Sequence, residues 1–150
     1  MAVVAGRLAA ALPAGESVLL DTSVLIAYLR GDERASAVAT FLIDGWVRAG
    51  RNEAFISTIS VMEVLVGPMK SRVDETVYVD FLQRFPHLTC VPLGFESAYF
   101  AAQVRAKYGH KPPDALIIGT AMSVRAAKIV TNDASWKGKS EIPIVTLAEF

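Results

Sequence analysis

The stretch VLLDTSVL, residues 18–25, places an apolar run directly before an acid and a helix start directly after it. The run ends at Asp21, and the residues that follow have the spacing of an amphipathic helix. Similar β-rich runs occur at residues 54–58, 88–93, 128–132 and 142–147. Helical patterns separate these runs, which are as apolar as strands covered on both faces. We therefore predict an α/β fold, with a mainly parallel five-stranded sheet flanked by helices.

Length and composition are those of one folded domain. Of the 150 residues, 53% are hydrophobic and 20% charged, and no segment predicts a membrane span. Basic and acidic residues balance at 15 each, so contact with a nucleic acid would depend on a local patch. The single cysteine cannot form an internal disulfide, which favours a reducing, cytoplasmic location. Residues 1–16 are expected to be a leader or an extra helix, and residues 17–150 the domain.

Four acidic residues stand at strand ends or near the starts of the following helices: Asp21, Glu63, Asp114 and Asp133. In a parallel α/β sheet these positions gather at the carboxyl edge, where ligands bind. Together the four carboxylates would repel one another unless a cation lies among them. Carboxylate oxygens suit Mg²⁺ or Mn²⁺, whose coordination is usually completed by substrate phosphates.

Each acid also has a purely structural alternative. Asp21 is placed to cap the helix that follows it, and Asp133 to cap the turn ASW. Ser60 and Glu63 match a capping box. Asp114 follows two prolines, where a negative charge suits a helix dipole. Taken singly, these alternatives are as good as the metal interpretation.

Other chemistries find little support in the sequence. Two histidines and one cysteine cannot build a structural zinc site of the usual kind. There is no G-x-S-x-G motif for a hydrolase nucleophile and no G-x-G-x-x-G motif after the first strand for a dinucleotide. His110 is expected to belong to a polar loop, although a substrate contact stays open because Asp114 is close in sequence.

Four blocks in this order resemble the PIN domain family, and within it the VapC toxins of prokaryotic toxin–antitoxin pairs. The blocks are LLDTSVLIAYL (19–29), ISTISVMEVLVG (56–67), PPDALIIGTA (112–121) and IVTNDASW (129–136). The third has IGTA where the family more commonly has AATA. The resemblance extends over the chain from about residue 17 and implies a single PIN-like domain.

The resemblance also implies an activity and its residues. A PIN domain of this type is a Mg²⁺- or Mn²⁺-dependent endoribonuclease, with its catalytic acids at the positions of Asp21, Glu63, Asp114 and Asp133. Asp21 and Asp114 would be the most direct metal ligands, and the other two would complete the site or act through water. Supporting hydroxyls would come from Thr131 and from Thr22 or Ser23.

The resemblance further implies partners: an RNA substrate, a small antitoxin protein and a second copy in a homodimer, with no membrane. For gripping RNA the sequence offers Tyr108 and Trp136 as stacking platforms, and a set of cations whose alternative is ordinary solvated surface. These cations are Arg105, Lys107, Lys111, Arg125, Lys128, Lys137 and Lys139.

Three other functions stay open beside the toxin. A housekeeping PIN nuclease for RNA maturation would have the same acids without an antitoxin. A non-catalytic interaction module would keep the fold alone, although four crowded carboxylates argue against it. A phosphatase of the aspartyl-phosphate type would require D-x-D after the first strand, where this chain has D-T-S.

Overall fold

A computed structural model describes residues 1–150 and contains one five-stranded sheet in which every strand pairing is parallel. The strands are β1 (Val18–Leu20), β2 (Ala54–Ser57), β3 (Leu88–Val91), β4 (Lys128–Thr131) and β5 (Ile144–Thr146). Their order across the sheet is β3-β2-β1-β4-β5. The predicted α/β fold with a parallel five-stranded sheet is therefore confirmed.

This strand order puts a topological switch point beside β1. The chain builds β2 and β3 on one side of β1, then crosses to build β4 and β5 on the other side. Val18 of β1 is in register with Ala54 of β2 and with Lys128 of β4. In open parallel sheets the crevice for ligands lies at the carboxyl ends of the strands at such a switch point. Here that place lies between the ends of β1 and β4.

Seven α-helices flank the sheet. They are α1 (Ala2–Ala11), α2 (Thr22–Arg30), α3 (Ser36–Thr40), α4 (Thr58–Lys70), α5 (Thr76–Arg84), α6 (Phe95–Tyr108) and α7 (Pro112–Ser123). A π-helix, Phe41–Val47, continues α3 directly, and 3-10 turns lie at Ala134–Trp136 and Leu147–Glu149. None of the helices combines the length and the apolar character that crossing a membrane would require.

The buried apolar side chains form one cluster on each face of the sheet. Val18 and Leu20 belong to the larger cluster, together with residues of α1, α2, α3, α4 and α5. Leu19, between them, belongs to the second cluster with residues of α6 and α7, such as Val104 and Ile117. Successive strand residues point to opposite faces, so a strand with both faces covered must be apolar at every position.

Residues 1–16 contain helix α1, which packs into the larger cluster through Leu8 and Leu12. The segment after α1 is held by polar contacts to the residues just before β2. Arg51 Nη1 donates to the carbonyl of Leu12 at 2.9 Å, and Asn52 Nδ2 donates to the carbonyls of Pro13 and Glu16 at 2.9 and 2.8 Å. Because Leu8 and the C-cap residue Leu12 are fully buried, α1 contributes to the same core as the sheet.

Helices α6 and α7 approach each other closely at Gly119. A Cβ atom at this position would lie 2.3 Å from the carbonyl oxygen of Ser97 and 2.8 Å from the backbone nitrogen of Ala101. Only glycine allows the two backbones to come so near. This contact fixes the position of α7, whose first turn carries Asp114.

Candidate active site

Asp21 is the residue that follows β1, and it lies at the switch point. Its backbone N–H donates to the carbonyl of Val130 at 2.9 Å, so the chain is still paired with β4 at this residue. Its side chain, 5% exposed, accepts two hydrogen bonds at Oδ2, from Ser23 Oγ at 2.7 Å and from Thr131 Oγ1 at 2.8 Å. It forms no side-chain cap on α2. The predicted capping role is therefore wrong for Asp21, although the residue occupies the N-cap position.

Thr131 and Asp133 extend this polar group from the end of β4. Thr131 Oγ1 accepts a hydrogen bond from the backbone N–H of Asp133 at 3.0 Å while it donates to Asp21. Asp133 Oδ1 accepts from the backbone N–H and the hydroxyl of Ser135, at 2.9 and 2.6 Å. The predicted cap on the ASW turn is confirmed, and it engages one carboxylate oxygen of Asp133, leaving Oδ2 without a protein partner.

Asp114 is the third residue of α7, behind Pro112 and Pro113 in the first turn. The half-buried Asp114 carboxylate forms no hydrogen bond with the protein. Burial raises the pKa of the Asp114 carboxyl above its ordinary value, and the charge of Asp133 raises it further, while His110 and Lys111 act in the opposite direction. A carboxylate with no donor around it is open to a ligand.

The pKa of the Asp21 carboxyl is also above its ordinary value. Burial is the main cause; the hydrogen bonds from Ser23 and Thr131 lower the pKa, and the charge of Asp114 raises it. Asp21 thus repels Asp114, and Asp114 repels Asp133. The three acids form one electrostatically coupled group at the carboxyl edge of the sheet.

Glu63 has a different environment. Ser57, not Ser60, is the N-cap of α4, because Ser57 Oγ accepts from the backbone N–H of Ile59 at 3.2 Å. The predicted capping box is therefore wrong. Glu63 Oε1 instead accepts from Thr22 Oγ1 at 2.7 Å, and the same hydroxyl lies 2.8 Å from Ser60 Oγ. This contact ties α4 to the start of α2.

Glu63 also faces a cavity of about 450 Å³ between α2, α4 and α5. Its apolar wall includes Ile26, Val64 and Tyr78. Asp114 and Asp133 line a separate pocket of about 290 Å³. Glu63 therefore lines a different concave surface from Asp114 and Asp133, and Asp21 lines neither.

No three acidic, histidine or cysteine side chains are arranged around one point at metal-binding distance. The donor set nevertheless fits a hard cation. Both oxygens of Asp114 and Oδ2 of Asp133 accept no hydrogen bond from the protein, and the side-chain hydrogen bonds of Asp21 use only Oδ2. Carboxylate oxygens of this kind are the ligands that Mg²⁺ and Mn²⁺ prefer. A cation between these acids would also offset the repulsion that raises the pKa of the Asp114 carboxyl.

The two aromatic residues predicted to stack on RNA differ in their exposure. Trp136 is 2% exposed, so the prediction that it is a stacking platform is wrong. It packs edge-on against His110, with ring centroids 5.7 Å apart. Tyr108 is partly exposed and donates through its hydroxyl to Glu141 at 3.0 Å.

The predicted cations divide into bound and free groups. Lys107 pairs with Glu141, Lys128 with Glu16 and Lys137 with Glu149, and Arg105 donates to the carbonyl of His110. Those that form neither an ion pair nor a side-chain hydrogen bond are Lys111, Arg125 and Lys139. Two of these, Lys111 and Lys139, line the pocket of Asp114 and Asp133.

The surroundings of His110 differ from the polar loop that the sequence predicts. The residue is 8% exposed, and its ring lies between Trp136 and Tyr108. Its Nε2 atom lies 2.7 Å from the carbonyl oxygen of Lys139, which is 29 residues away. No local pattern encodes a contact at that separation; the only signal in the sequence is the position of His110 four residues before Asp114.

Asp21→Asn is expected to alter the pH dependence of stability in chelator. The folded-state pKa of Asp21 is raised, so the charged form costs stability, and the free energy of unfolding falls as pH rises through that pKa. Asparagine keeps a carbonyl acceptor for Ser23 and Thr131 and removes this loss. Each 1 kcal/mol recovered would raise Tm by about 2–4 °C at pH 7.

Thermal melts of wild type and variant from pH 4 to pH 8 would measure this. Asp74→Asn is the matched control, because hydrogen bonds from Thr76 lower the pKa of the exposed Asp74 carboxyl and its substitution should not raise Tm. A lower Tm for Asp21→Asn than for wild type at pH 7 would contradict the interpretation.

The chain belongs to the PIN domain family, because the family model of the PIN domain matches residues 18–141. The resemblance predicted from the four sequence blocks is therefore confirmed. A search of curated protein sequences finds no match.

Solved structures similar to this chain include toxin–antitoxin proteins. A toxin–antitoxin complex from Klebsiella pneumoniae is 27% identical over 87% of this chain and 97% of that chain, with a TM-score of 0.65. VapBC2 from Rickettsia felis, bound to a DNA fragment from the promoter, is 20% identical over 87% and 98%, with a TM-score of 0.66. VapC20 of Mycobacterium tuberculosis, a toxin that cleaves the sarcin–ricin loop, is 11% identical over 81% and 93%, with a TM-score of 0.64. The last two share the fold with this chain.

Proposed function

We propose that this protein is a metal-dependent endoribonuclease that hydrolyses RNA phosphodiester bonds, and the toxin of a VapBC-type pair that inhibits translation and growth. The observation that carries the proposal is the coupled group of Asp21, Asp114 and Asp133 at the switch point of the sheet. Burial and mutual repulsion raise the pKa of the Asp21 and Asp114 carboxyls. Such a group weakens the fold by itself and is suited to a cation.

In the proposed mechanism Asp21 and Asp114 hold Mg²⁺ or Mn²⁺ directly, and Glu63 and Asp133 complete the site or act through water. When bound, the divalent ion supplies a water that is nucleophilic at neutral pH and stabilises the departing oxygen. Asp133 is held through Oδ1 by its cap on Ser135, which leaves Oδ2 without a protein partner. The four acids are therefore the proposed catalytic and metal-binding residues.

Two hydroxyls support these acids. Thr131 Oγ1 donates to Asp21 Oδ2, which keeps that oxygen oriented and lowers the pKa of the carboxyl. Thr22 Oγ1 donates to Glu63 Oε1 and so sets the distance between α2 and α4. Both are positioning residues in this proposal.

The proposed partners are an antitoxin and a second copy of the chain, in the cytoplasm. The apolar cavity between α2, α4 and α5 is suited to an apolar antitoxin segment, and it has Glu63 at its wall. The similar structures include complexes of toxins with antitoxins. An exposed apolar row on α4, formed by Met62, Val66 and Met69, would be covered in a homodimer.

The test is cleavage of a mixed pool of structured RNA by the purified protein with Mg²⁺, with Mn²⁺ and with chelator. We expect cleavage only with metal, at defined positions. Cleavage that persists in excess chelator would refute the metal-dependent mechanism. If the folded protein cuts no RNA in the pool, which should include ribosomal and transfer RNA, the non-catalytic interaction module becomes the better description.

A housekeeping PIN nuclease is the alternative with the same chemistry. Expression of the chain alone in a bacterial host separates the two proposals. A toxin is expected to arrest growth, and co-expression of a small antitoxin encoded beside it is expected to restore growth. Unchanged growth together with metal-dependent cleavage in vitro would favour the housekeeping nuclease.

A further inference from the structure

The pocket beside Asp114 contains charges of both signs that form no ion pair with each other. Asp114 and Asp133 line it together with Lys111 and Lys139. Neither lysine forms an ion pair with either acid or with any other residue. A pocket in which carboxylates and ammonium groups stay apart is complementary to a ligand that carries both charges, such as a metal ion with an RNA phosphate.

His110 also lines this pocket, and one of its two ring nitrogens is held by a hydrogen bond. Its Nε2 atom lies 2.7 Å from the carbonyl oxygen of Lys139. A carbonyl oxygen can only accept, so the hydrogen of the neutral imidazole must lie on Nε2. The rings of Trp136 and Tyr108 pack edge-on at 5.7 and 6.3 Å, and Arg105 Nε donates to the His110 carbonyl at 3.0 Å.

The other ring nitrogen of His110 has no partner in the protein. Nδ1 makes no hydrogen bond within the protein. Every side-chain nitrogen or oxygen that is fully buried has a hydrogen-bond partner, so the unbonded Nδ1 is not fully buried. An unbonded Nδ1 must therefore be reached by solvent, and the solvent-filled space that His110 lines is this pocket. In the neutral imidazole with its hydrogen on Nε2, Nδ1 is a hydrogen-bond acceptor, so this form of His110 fits a hydroxyl group and not an unprotonated phosphate oxygen.

We propose that this pocket binds a ribonucleotide next to the cleaved bond, with its phosphate held by Lys111 and Lys139 and its 2′-hydroxyl donated to His110 Nδ1. This inference rests on the proposed nuclease function, and it assigns to His110 the selection of RNA over DNA. The 2′-hydroxyl is the group by which a protein distinguishes the two nucleic acids at a given position. The lysines supply a contact that RNA and DNA share.

The test is binding of a fluorescein-labelled 12-nucleotide RNA and of the DNA with the same sequence, by anisotropy in chelator. We expect His110→Gln to weaken RNA binding about 2- to 10-fold, the effect of one hydrogen bond, and to leave DNA binding unchanged. Glutamine can still donate to the Lys139 carbonyl through Nε2, but its acceptor Oε1 does not occupy the position of Nδ1. Loss of binding to both nucleic acids alike, or no change in the ratio, would overturn the assignment of His110.

The double variant Lys111→Ala, Lys139→Ala is expected to weaken RNA and DNA binding equally. The slope of log affinity against log salt should become shallower by about 1.4, or about 0.7 for each lost phosphate contact on a single strand. Lys70→Ala is the matched control, because Lys70 ends α4 and does not line the pocket of Asp114. An unchanged slope in the double variant would overturn the phosphate assignment.

Single 2′-deoxy substitutions along the RNA provide a test that needs no protein variant. With wild-type protein, one position should lose the same 2- to 10-fold in affinity, the worth of one hydrogen bond. A uniform response at all positions would count against the pocket. These binding assays do not depend on cleavage, so the two proposals can fail separately. If the protein cleaves RNA but does not show this binding pattern, only the assignment of the pocket is refuted. If it shows the binding pattern but does not cleave RNA, only the nuclease function is refuted.

Discussion

Asp114→Asn is expected to lower the rate of RNA cleavage by about 100- to 1000-fold, the loss typical when one preorganised electrostatic group is removed from an active site. Asparagine has the same shape but lacks the charge that would hold a divalent ion. The Asp114 carboxylate forms no hydrogen bond that the substitution would break. Its pKa is raised by burial and by Asp133, so removal of the charge should also leave Tm in chelator unchanged or higher.

The measurement is initial cleavage rates in Mg²⁺ beside thermal melts in chelator. Glu96→Gln is a matched control, because Glu96 also lies in the first turn of a long helix, α6, and is exposed. If Asp114 served only the helix dipole, both variants would lose a similar amount of stability and neither would lose activity. A Tm that falls clearly in Asp114→Asn alone would indicate a structural role.

Gly119→Ala is expected to destabilise the protein strongly, by about 1–3 kcal/mol or more as in other overpacked cores. The new Cβ would lie 2.3 Å from the Ser97 carbonyl oxygen and 2.8 Å from the Ala101 nitrogen. Both are backbone atoms of α6, so no side-chain rotation can relieve the contact. The helices must move apart, and that shift would displace Asp114 at the start of α7.

Denaturant unfolding of the variant would measure the loss. Gly6→Ala is the opposite control, since Gly6 lies inside α1 with no neighbouring atom within 4 Å of the place that a Cβ would occupy, and alanine there should add stability. Equal behaviour of the two variants would mean that α6 can move freely away from α7. A reduced cleavage rate in Gly119→Ala, at a temperature where it is folded, would link this packing to the site.

The fold could be predicted from the sequence because its strands are short apolar runs and each of the first three is followed by a helical pattern. The signal is local, and the rule that parallel strands end at one edge then brings Asp21, Asp114 and Asp133 together. The residues needed for that inference are each adjacent to the element that positions them.

The errors concern choices that only tertiary contacts decide. By local pattern, Ser57 and Ser60 are equally plausible N-caps of α4. Because α4 begins at Thr58, Ser57 is the cap, and Glu63 instead accepts a hydrogen bond from Thr22 of α2. The burial of His110 depends on a carbonyl 29 residues away. The π-helix of Phe41–Val47 has no recognisable periodicity in the sequence, since apolar spacing in a single short turn fits several helix types.

The burial of Trp136 against His110 has a spectroscopic consequence. The chain contains two tryptophans, and the other, Trp46, packs under the guanidinium of Arg51 at 3.6 Å, within the π-helix. With Trp46→Phe, the remaining indole emission would come from a ring in contact with one wall of the pocket. Its intensity would then report occupancy of the pocket in real time, on unlabelled protein and without turnover.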